Sequence, residues 1–288
     1  MVMLLKEVME KDLEMYEKTG RYISQEKIDG DRVKAIVGRV LGKRSVILIN
    51  RHENNYSFNF PELINGLGIR KDALGDGKVV LDGEVAHFDK EKGVFDHNKI
   101  TARQHTIKHK KIMRLRLNYP AKFYIFDLIE MNGINMVNNP LYPFERRYEL
   151  LKQIIINNNV TELLPIRNDL VTFFKEECLA DREGIVIKAL SNIYCEGRSD
   201  TILKIKNWKY DVIKFEDYEE CKTGGIVLTN DRDRVLCPSR KDAELIKTII
   251  EQSGYTYEKI RHLQKRNSNG KLREGTYAGH IGVENGFK

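Results

Sequence analysis

Cysteine is scarce in this chain: Cys178, Cys195, Cys221 and Cys237 are scattered through 288 residues with no C-x-x-C pair. That spacing fits neither a zinc site nor a disulfide framework, so a reducing, cytoplasmic setting is expected. Long hydrophobic runs are missing as well, and nothing approaches the roughly 20 apolar residues needed to cross a bilayer. The opening stretch "MVMLLKEVMEKDLEMY" acquires acidic residues too early for a signal peptide. No membrane partner is expected. The seven histidines show no metal-ligand spacing, and no internal repeat or low-complexity tract stands out.

What is present has the profile of a globular protein, with 41% hydrophobic and 32% charged residues. The length suits one large domain or two smaller ones with a real core. The net charge of +7 is compatible with nucleic acid as a partner, since phosphate backbones attract lysine and arginine regardless of sequence. Lysine-rich composition has other origins, so charge alone carries little weight.

Along the chain, "LLKEVMEKDLEMYEKTG" spaces Leu5, Val8, Met9, Leu13 and Tyr16 as one helical face, with Gly20 as a left-handed cap. "RVKAIVGRV" and "SVILIN" flank "LGKR" and read as a hairpin turning at Gly42-Lys43. "KVVLDGEVAHF", "KFYIFDLIE", "EGIVIKAL" and "TILKIKNW" are further β-type runs. "YPFERRYELLKQIII" reads as a helix opened near Pro143, with Tyr148, Leu151, Ile154 and Ile155 along one side. The fold class expected is α+β: mainly antiparallel sheets with flanking helices over 1–209, then a small domain over 210–288. In the latter, Ser239 and Asp242 form a capping pattern for a helix striped by Leu245, Ile246, Ile249 and Ile250 and stopped by Gly254. Short strands plus one helix suit an OB-type β-barrel.

The chemistry-bearing stretch is "SQEKIDGDRVKAIV", which sets Lys27, Asp29, Gly30 and Arg32 at the mouth of the hairpin. With the turn at Gly42-Lys43, Arg51 falls opposite roughly Lys34, so two arginines stand near one lysine. Neighbouring cations lower a lysine pKa, and a neutral amine is what nucleophilic attack requires. A solvated strand end with mixed charges accounts for this stretch equally well. Charges inside later apolar strands shift the balance: Asp82 and Glu84 in "VVLDGEV", Glu183 and Lys188 around "GIVI", and Lys204 and Lys206 in "LKIK". Charges in buried-type strands cost free energy unless they meet a ligand, a metal or one another. A wet sheet face explains any one of them, and explains the whole set poorly.

Taken in order, these segments resemble the ATP-dependent DNA ligases of the covalent nucleotidyltransferase superfamily, which also holds RNA ligases and mRNA capping enzymes. The signature K-x-D-G-x-R stands as Lys27 to Arg32, "NRHENNYSFNFPEL" carries Arg51, and "LDGEV" carries Glu84. "FYIFDLIEMNG" matches at Phe126, "EGIVIK" at Glu183 and Lys188, and "YCEGRSDTILKIKNWK" at Arg198, Lys204 and Lys206. "NKITARQHT" is similar to the family's arginine-bearing helix, here with Arg103. The resemblance covers roughly residues 20 to 210.

The resemblance implies that Lys27 attacks the α-phosphorus of ATP, holds AMP as a phosphoramidate, and passes it to the 5′-phosphate of a nick before a 3′-hydroxyl displaces it. It implies nucleotide contacts from Gln25, Arg32, Arg51, Glu84, Phe126, Lys188, Arg198, Lys204 and Lys206, with Phe126 stacked on adenine. Glu84 and Glu183 are implied ligands of Mg2+ or Mn2+. The implied partner is nicked duplex DNA, or strands containing RNA; a monomer is the simple expectation, and replication, repair and viral roles are equally open. An RNA ligase, a GTP-using capping enzyme and a non-catalytic nucleic-acid clamp are the alternatives. Arg103 and the basic residues Lys265, Arg266, Lys271 and Arg273 of "QKRNSNGKLR" are the expected DNA contacts, and "HTIKHKKIMRLR" is a second basic run.

Two departures from the family pattern stand out. Gln25 occupies the place of a usual glutamate, and the end "GHIGVENGFK" lacks the usual Arg-x-Asp-Lys motif. With little chain ahead of Lys27 in the sequence given, an NAD-dependent relative with its nicotinamide-binding domain is less expected than an ATP-dependent one, and the separate helical DNA-binding domain of larger members is expected to be absent.

Overall fold

The computed structural model describes residues 3–75, 77–263 and 271–283, apart from the side chain of residue 198. The chain divides into two compact units, Met1–Ile205 and Lys206–Lys288. The fold class is α+β, as expected.

The first unit contains two main sheets. In the larger, the strand order is Thr161–Leu163, Lys122–Met131, Val79–Ala86, Asp31–Val40 and Lys43–Asn50. Along Asp31–Val40 the buried residues Val33, Ala35 and Val37 alternate with wetter neighbours, the period-two pattern of a strand with one core face. The central strand Val79–Ala86 is buried on both faces except at Glu84, so any charge it carries needs a partner. The hairpin turns at Leu41-Gly42, both at positive φ (49° and 74°), the mirror-image two-residue turn that matches strand twist. The turn falls one residue before the expected place, and Ile49 rather than Arg51 lies opposite Lys34.

The second sheet runs in the order Met3–Glu7, Gly197–Lys206, Gly184–Ala189 and Tyr22–Glu26. Its first strand corrects the expectation of a helix from Leu5 onward. The only α-helix in that stretch is Leu13–Lys18, while Met3–Glu7 pairs parallel with Gly197–Lys206. A partner almost 200 positions away overrides the local helical spacing. The helix Leu170–Leu179 packs Leu170, Phe173 and Phe174 on Ile185, Ile187, Leu203 and Ile205 of this sheet. Phe144–Ile154 is the helix expected after Pro143, burying Phe144, Tyr148, Leu151 and Ile154, but Ile155 has already turned extended.

The second unit holds two three-stranded sheets, Trp208–Phe215/Thr256–Leu263/Arg273–Gly282 and Asp217–Glu220/Ile226–Thr229/Arg234–Cys237. Its helix Arg240–Ser253 is capped as expected: Ser239 Oγ accepts from the Asp242 amide at 3.2 Å, and Gly254 takes φ 78°. Its buried stripe is Ala243, Ile246 and Ile250, with Leu245 turned outward. Among the described residues the two sheets do not hydrogen-bond into one closed barrel.

Candidate active site

Lys27 follows directly on the strand Tyr22–Glu26, where Glu26 pairs with Ile185. The Lys27 amide donates to the Gly184 carbonyl at 2.9 Å, which carries the side chain to Glu183 at the head of the neighbouring strand. Lys27 Nζ stands 2.7 Å from Glu183 Oε1, with the two side chains 18% and 4% exposed. The turn after Lys27 depends on Gly30, because a Cβ there would meet the Val85 carbonyl oxygen at 2.4 Å. Only glycine lets this turn lie flat on the central strand, where Arg32 pairs with Glu84. The compact K-x-D-G-x-R signature is therefore a packing solution that aims Lys27 and Arg32 into one pocket.

That pocket is a cavity of about 80 Å3 lined by residues including Met3, Gln25, Lys27, Arg32, Glu84, Phe126 and Lys188. It is smaller than the roughly 300–1,000 Å3 of typical small-molecule sites. Part of the room is taken by Arg32, whose guanidinium lies 5.3 Å from the centre of the Phe126 ring. Arg32 is held by Asp82 through two hydrogen bonds of 3.0 and 2.6 Å and by the Met3 carbonyl. Tyr194 donates a further hydrogen bond to Asp82 at 2.7 Å. On the other side, Lys188 donates to the Phe126 carbonyl at 2.8 Å. Asp127 is 3.9 Å from Lys188 but is claimed by Arg147 through bonds of 2.6 and 3.0 Å.

The electrostatics reverse one expectation. Burial alone would lower the Lys27 pKa, but Glu183, then Glu84 and Asp29, outweigh it, and the amine is held above the ordinary lysine value. Arg32 does not press on it as a bare cation, because Asp82 neutralises the guanidinium. The lysine with a depressed pKa is Lys188: burial pushes it down to about 8, and Arg147 and Arg32 lower it against the pull of Asp127 and Asp82. Glu84 is pushed up to about 8 by burial, despite Lys27 and Arg32.

Gln25 is 1% exposed, and its amide nitrogen donates to the Leu164 carbonyl at 3.1 Å. Its amide oxygen is buried and meets no hydrogen-bond donor among the described residues.

Other expected site residues lie elsewhere. Arg51 is exposed and bonds His52 at 3.1 Å. Lys204 sits 3.8 Å from Glu7, and Lys206, in the second unit, pairs with Glu274. Arg198 is on the strand Gly197–Lys206 opposite Leu4, and its side chain is outside the described residues, as are Lys265 and Arg266. Lys271 is exposed and Arg273 begins the last strand. Arg103 contradicts its expected place on DNA. It is fully buried, forked onto both oxygens of Glu62, donating to the Asn59 carbonyl at 2.7 Å, and 4.6 Å from the Phe60 ring. Its guanidinium ties a helix to the core and offers nothing to a phosphate.

Sequence reasoning missed Asp127, Arg147 and Tyr194, which hold the pocket's charged residues in place. The run "YIFDLIE" carried the signal: an aspartate inside a strand of apolar residues requires a buried cation.

Fold and lysine-centred pocket together define the class, a covalent nucleotidyltransferase domain. Residues 3–206 match the family model described as ATP dependent DNA ligase domain, and the chain belongs to that family. It is 26% identical over 188 residues to the DNA ligase of Sulfolobus acidocaldarius, covering 62% of this chain and 29% of that protein. It is 27% identical over 212 residues to the probable DNA ligase of Dictyoglomus turgidum, covering 71% of this chain and 34% of that protein. The chain thus spans about a third of the length of these curated relatives. Among solved structures, a Lig E DNA ligase described as binding DNA with a minimal scaffold aligns with TM-score 0.64 at 15% identity, covering 97% of this chain and 98% of that one. A mycobacterial DNA ligase D complexed with ATP and MES aligns with TM-score 0.56 at 18% identity, covering 97% and 94%. These two likenesses concern the fold. Among the described residues, no helix is long and apolar enough to cross a membrane.

Proposed function

We propose that the chain seals nicks in duplex DNA with ATP, through AMP carried on Lys27. The observation that supports this best is Lys27 Nζ, half-buried and paired with Glu183 in a pocket also lined by Glu84, Arg32, Phe126 and Lys188. In this reading the neutral amine attacks the α-phosphorus, a phosphorus–nitrogen bond forms as the nitrogen gives up a proton to water, and pyrophosphate leaves with the bonding electron pair. An oxygen of the 5′-phosphate then attacks the same phosphorus, the phosphorus–nitrogen bond breaks and the lysine amine takes a proton back. Finally the 3′-hydroxyl attacks the 5′-phosphorus, losing its proton as AMP leaves with the electron pair.

Lys188 supplies positive charge for the α-phosphate in a dry site, where charge acts strongly. Phe126 offers a face for the adenine once Arg32 swings off its ring, and the free oxygen of Gln25 is an acceptor in the same pocket. Arg198, Lys204, Lys206 and Arg51 complete the phosphate contacts, with Lys265, Arg266, Lys271 and Arg273 on the DNA. The domain boundary is proposed near residue 209, followed by the OB domain.

Glu84 and Glu183 are the residues that would hold Mg2+. Two carboxylates with phosphate and water oxygens suit this ion, which seldom takes an all-protein cage. Among the described residues no group of three or more acidic, histidine or cysteine side chains forms such a cage. Once bound, the ion would neutralise phosphate charge. An RNA-containing strand remains the second substrate to test.

The test is incubation with α-labelled ATP, GTP or adenylate-labelled NAD. Label from ATP on the unmodified chain and none on Lys27→Ala is expected, followed by closure of a nicked DNA duplex in preference to a nicked RNA one. Absence of label from every donor would overturn the proposal in favour of a non-catalytic clamp.

A further inference from the structure

The segment 105–118 breaks a local rule of helix design. Its helix, His109–Asn118, opens with Lys108 at the N-cap and Lys110 and Lys111 in the first turn, with no acidic residue there. Cations at the positive end of a helix dipole are unfavourable. The like-charged pairs Lys108–Lys111, Lys110–Arg114 and Lys111–Arg114 repel one another across one helix face. Among the described residues Lys108, Lys110, Lys111 and Arg114 are exposed, Arg116 is half-buried, and none of the five is ion-paired. The helix is retained by burying Ile112 and Leu115. A local arrangement that costs stability without an internal partner points to an external one.

The scaffold under this face is rigid. Arg103 is locked to Glu62, and the Asn59 side chain donates to the carbonyls of Arg103, Gln104 and Thr106 at 2.9, 3.3 and 2.8 Å. Thr106 Oγ1 bonds back to Ala102 at 2.7 Å. These bonds fix the turn between the helices His97–Gln104 and His109–Asn118, and that turn presents Ile107 at 85% exposure beside the cations. Phe58, 55% exposed, lies against His109 with ring centres 6.1 Å apart. The buried arginine expected to touch DNA instead builds the support for a neighbouring surface.

We propose that this basic face, Lys108 to Arg116, binds the phosphate backbone of duplex DNA flanking the reacting site; the identity of the duplex rests on the ligase reading. The stripe Lys108–Lys111–Arg114 spans about 9 Å at 1.5 Å per residue. A duplex presents one negative charge per about 1.7 Å of axis, so roughly five phosphates fall within its length. Binding there relieves both the dipole conflict and the mutual repulsion. The partner is recognised by charge density, without reading of base sequence.

The deciding variant is Lys110→Glu/Lys111→Glu in the full chain. Acidic residues in the first turn satisfy the helix dipole, so its thermal midpoint is expected to equal or exceed that of the unmodified protein. Fluorescent nicked duplex DNA is titrated between 50 and 200 mM salt. The variant is expected to bind about tenfold or more weakly at low salt, with the log K against log[salt] slope reduced by about 1.8, roughly 0.9 per lost contact. Lysyl-AMP formation from ATP without DNA is expected to be unchanged. Lys152→Glu/Lys175→Glu, equal in charge but on other helices, controls for net charge. Unchanged affinity and slope overturn the proposal, as does an equal loss in the control. Failure of the ligase reading shows separately, as absence of label on the unmodified chain.

Discussion

Lys27 Nζ and Glu183 Oε1 stand 2.7 Å apart. The residue proposed to attack phosphorus is therefore held as an ammonium, with a pKa above the ordinary lysine value because Glu183, Glu84 and Asp29 outweigh its burial. In the proposed reaction only the neutral amine attacks. The rate of lysyl-AMP formation at fixed ATP is expected to climb with pH from 6 to 9, near tenfold per pH unit, without levelling. Glu183→Gln removes the largest attraction for the proton and is expected to bring a plateau into that range. A plateau near pH 7 in the unmodified protein would show that the ion pair does not set the amine's proton affinity during reaction.

Glu84 makes stability fall as pH rises. Its carboxyl titrates near 8 in the folded chain against an ordinary 4.5, so between these values the folded state holds a proton the unfolded chain has released. The loss is on the order of 2–4 kcal/mol and is complete above pH 8. Glu177, pushed up to about 7 by burial, acts in the same direction. Denaturant melts at pH 5 and pH 8 check this: Glu84→Gln is expected to flatten the difference markedly. An equally steep fall in that variant would assign the effect elsewhere.

Gln25 is not interchangeable with the glutamate of the family pattern. The Leu164 carbonyl already accepts from Tyr148 Oη at 2.9 Å and from the Gln25 amide nitrogen at 3.1 Å. Gln25→Glu would set a carboxylate against that carbonyl oxygen at a site 1% exposed, costing about 1–3 kcal/mol unless the acid stays protonated. A lower thermal midpoint and weaker ATP binding are expected. Unchanged melting would mean that Leu164 moves away freely.

Lys188→Met is expected to raise stability and remove activity together. The ammonium costs stability below pH 8, where it is protonated in a fully dry site. The methyl thioether removes about 1–3 kcal/mol of that cost, while Asp127 keeps Arg147 as its partner. Thermal melts at pH 7 and labelling from ATP read both effects. A lower melting point would show that the Phe126 carbonyl needs its lysine donor more than the site resents the charge.

The hairpin, the lysine signature and the second-unit helix were legible because each is a local pattern: alternation along Asp31–Val40, glycine at a forced approach, a serine cap. What escaped was set by partners distant in sequence. Met3–Glu7 is a strand only because Gly197–Lys206 lies beside it. Lys27 is acidic-sided and Arg32 neutralised because Glu183 and Asp82 arrive from other strands. Lys27 and Arg32 of the motif both line the pocket, yet their protonation follows from packing that no motif records.

Arg103 and Glu62 allow a direct measurement of how a buried pair supports the basic face. Arg103 is 0% and Glu62 10% exposed, and the fork between them also orders Asn59. Arg103→Met leaves a carboxylate without its cation and is expected to cost about 3–5 kcal/mol. Pairing it with Glu62→Leu removes the stranded charge and is expected to recover more than half of that loss. Hydrogen exchange at the amides of 97–118 should quicken in the single variant and slow again in the double. If the double variant melts as low as the single, the arginine is acting through its bonds to the Asn59 and Tyr119 carbonyls and not through its charge.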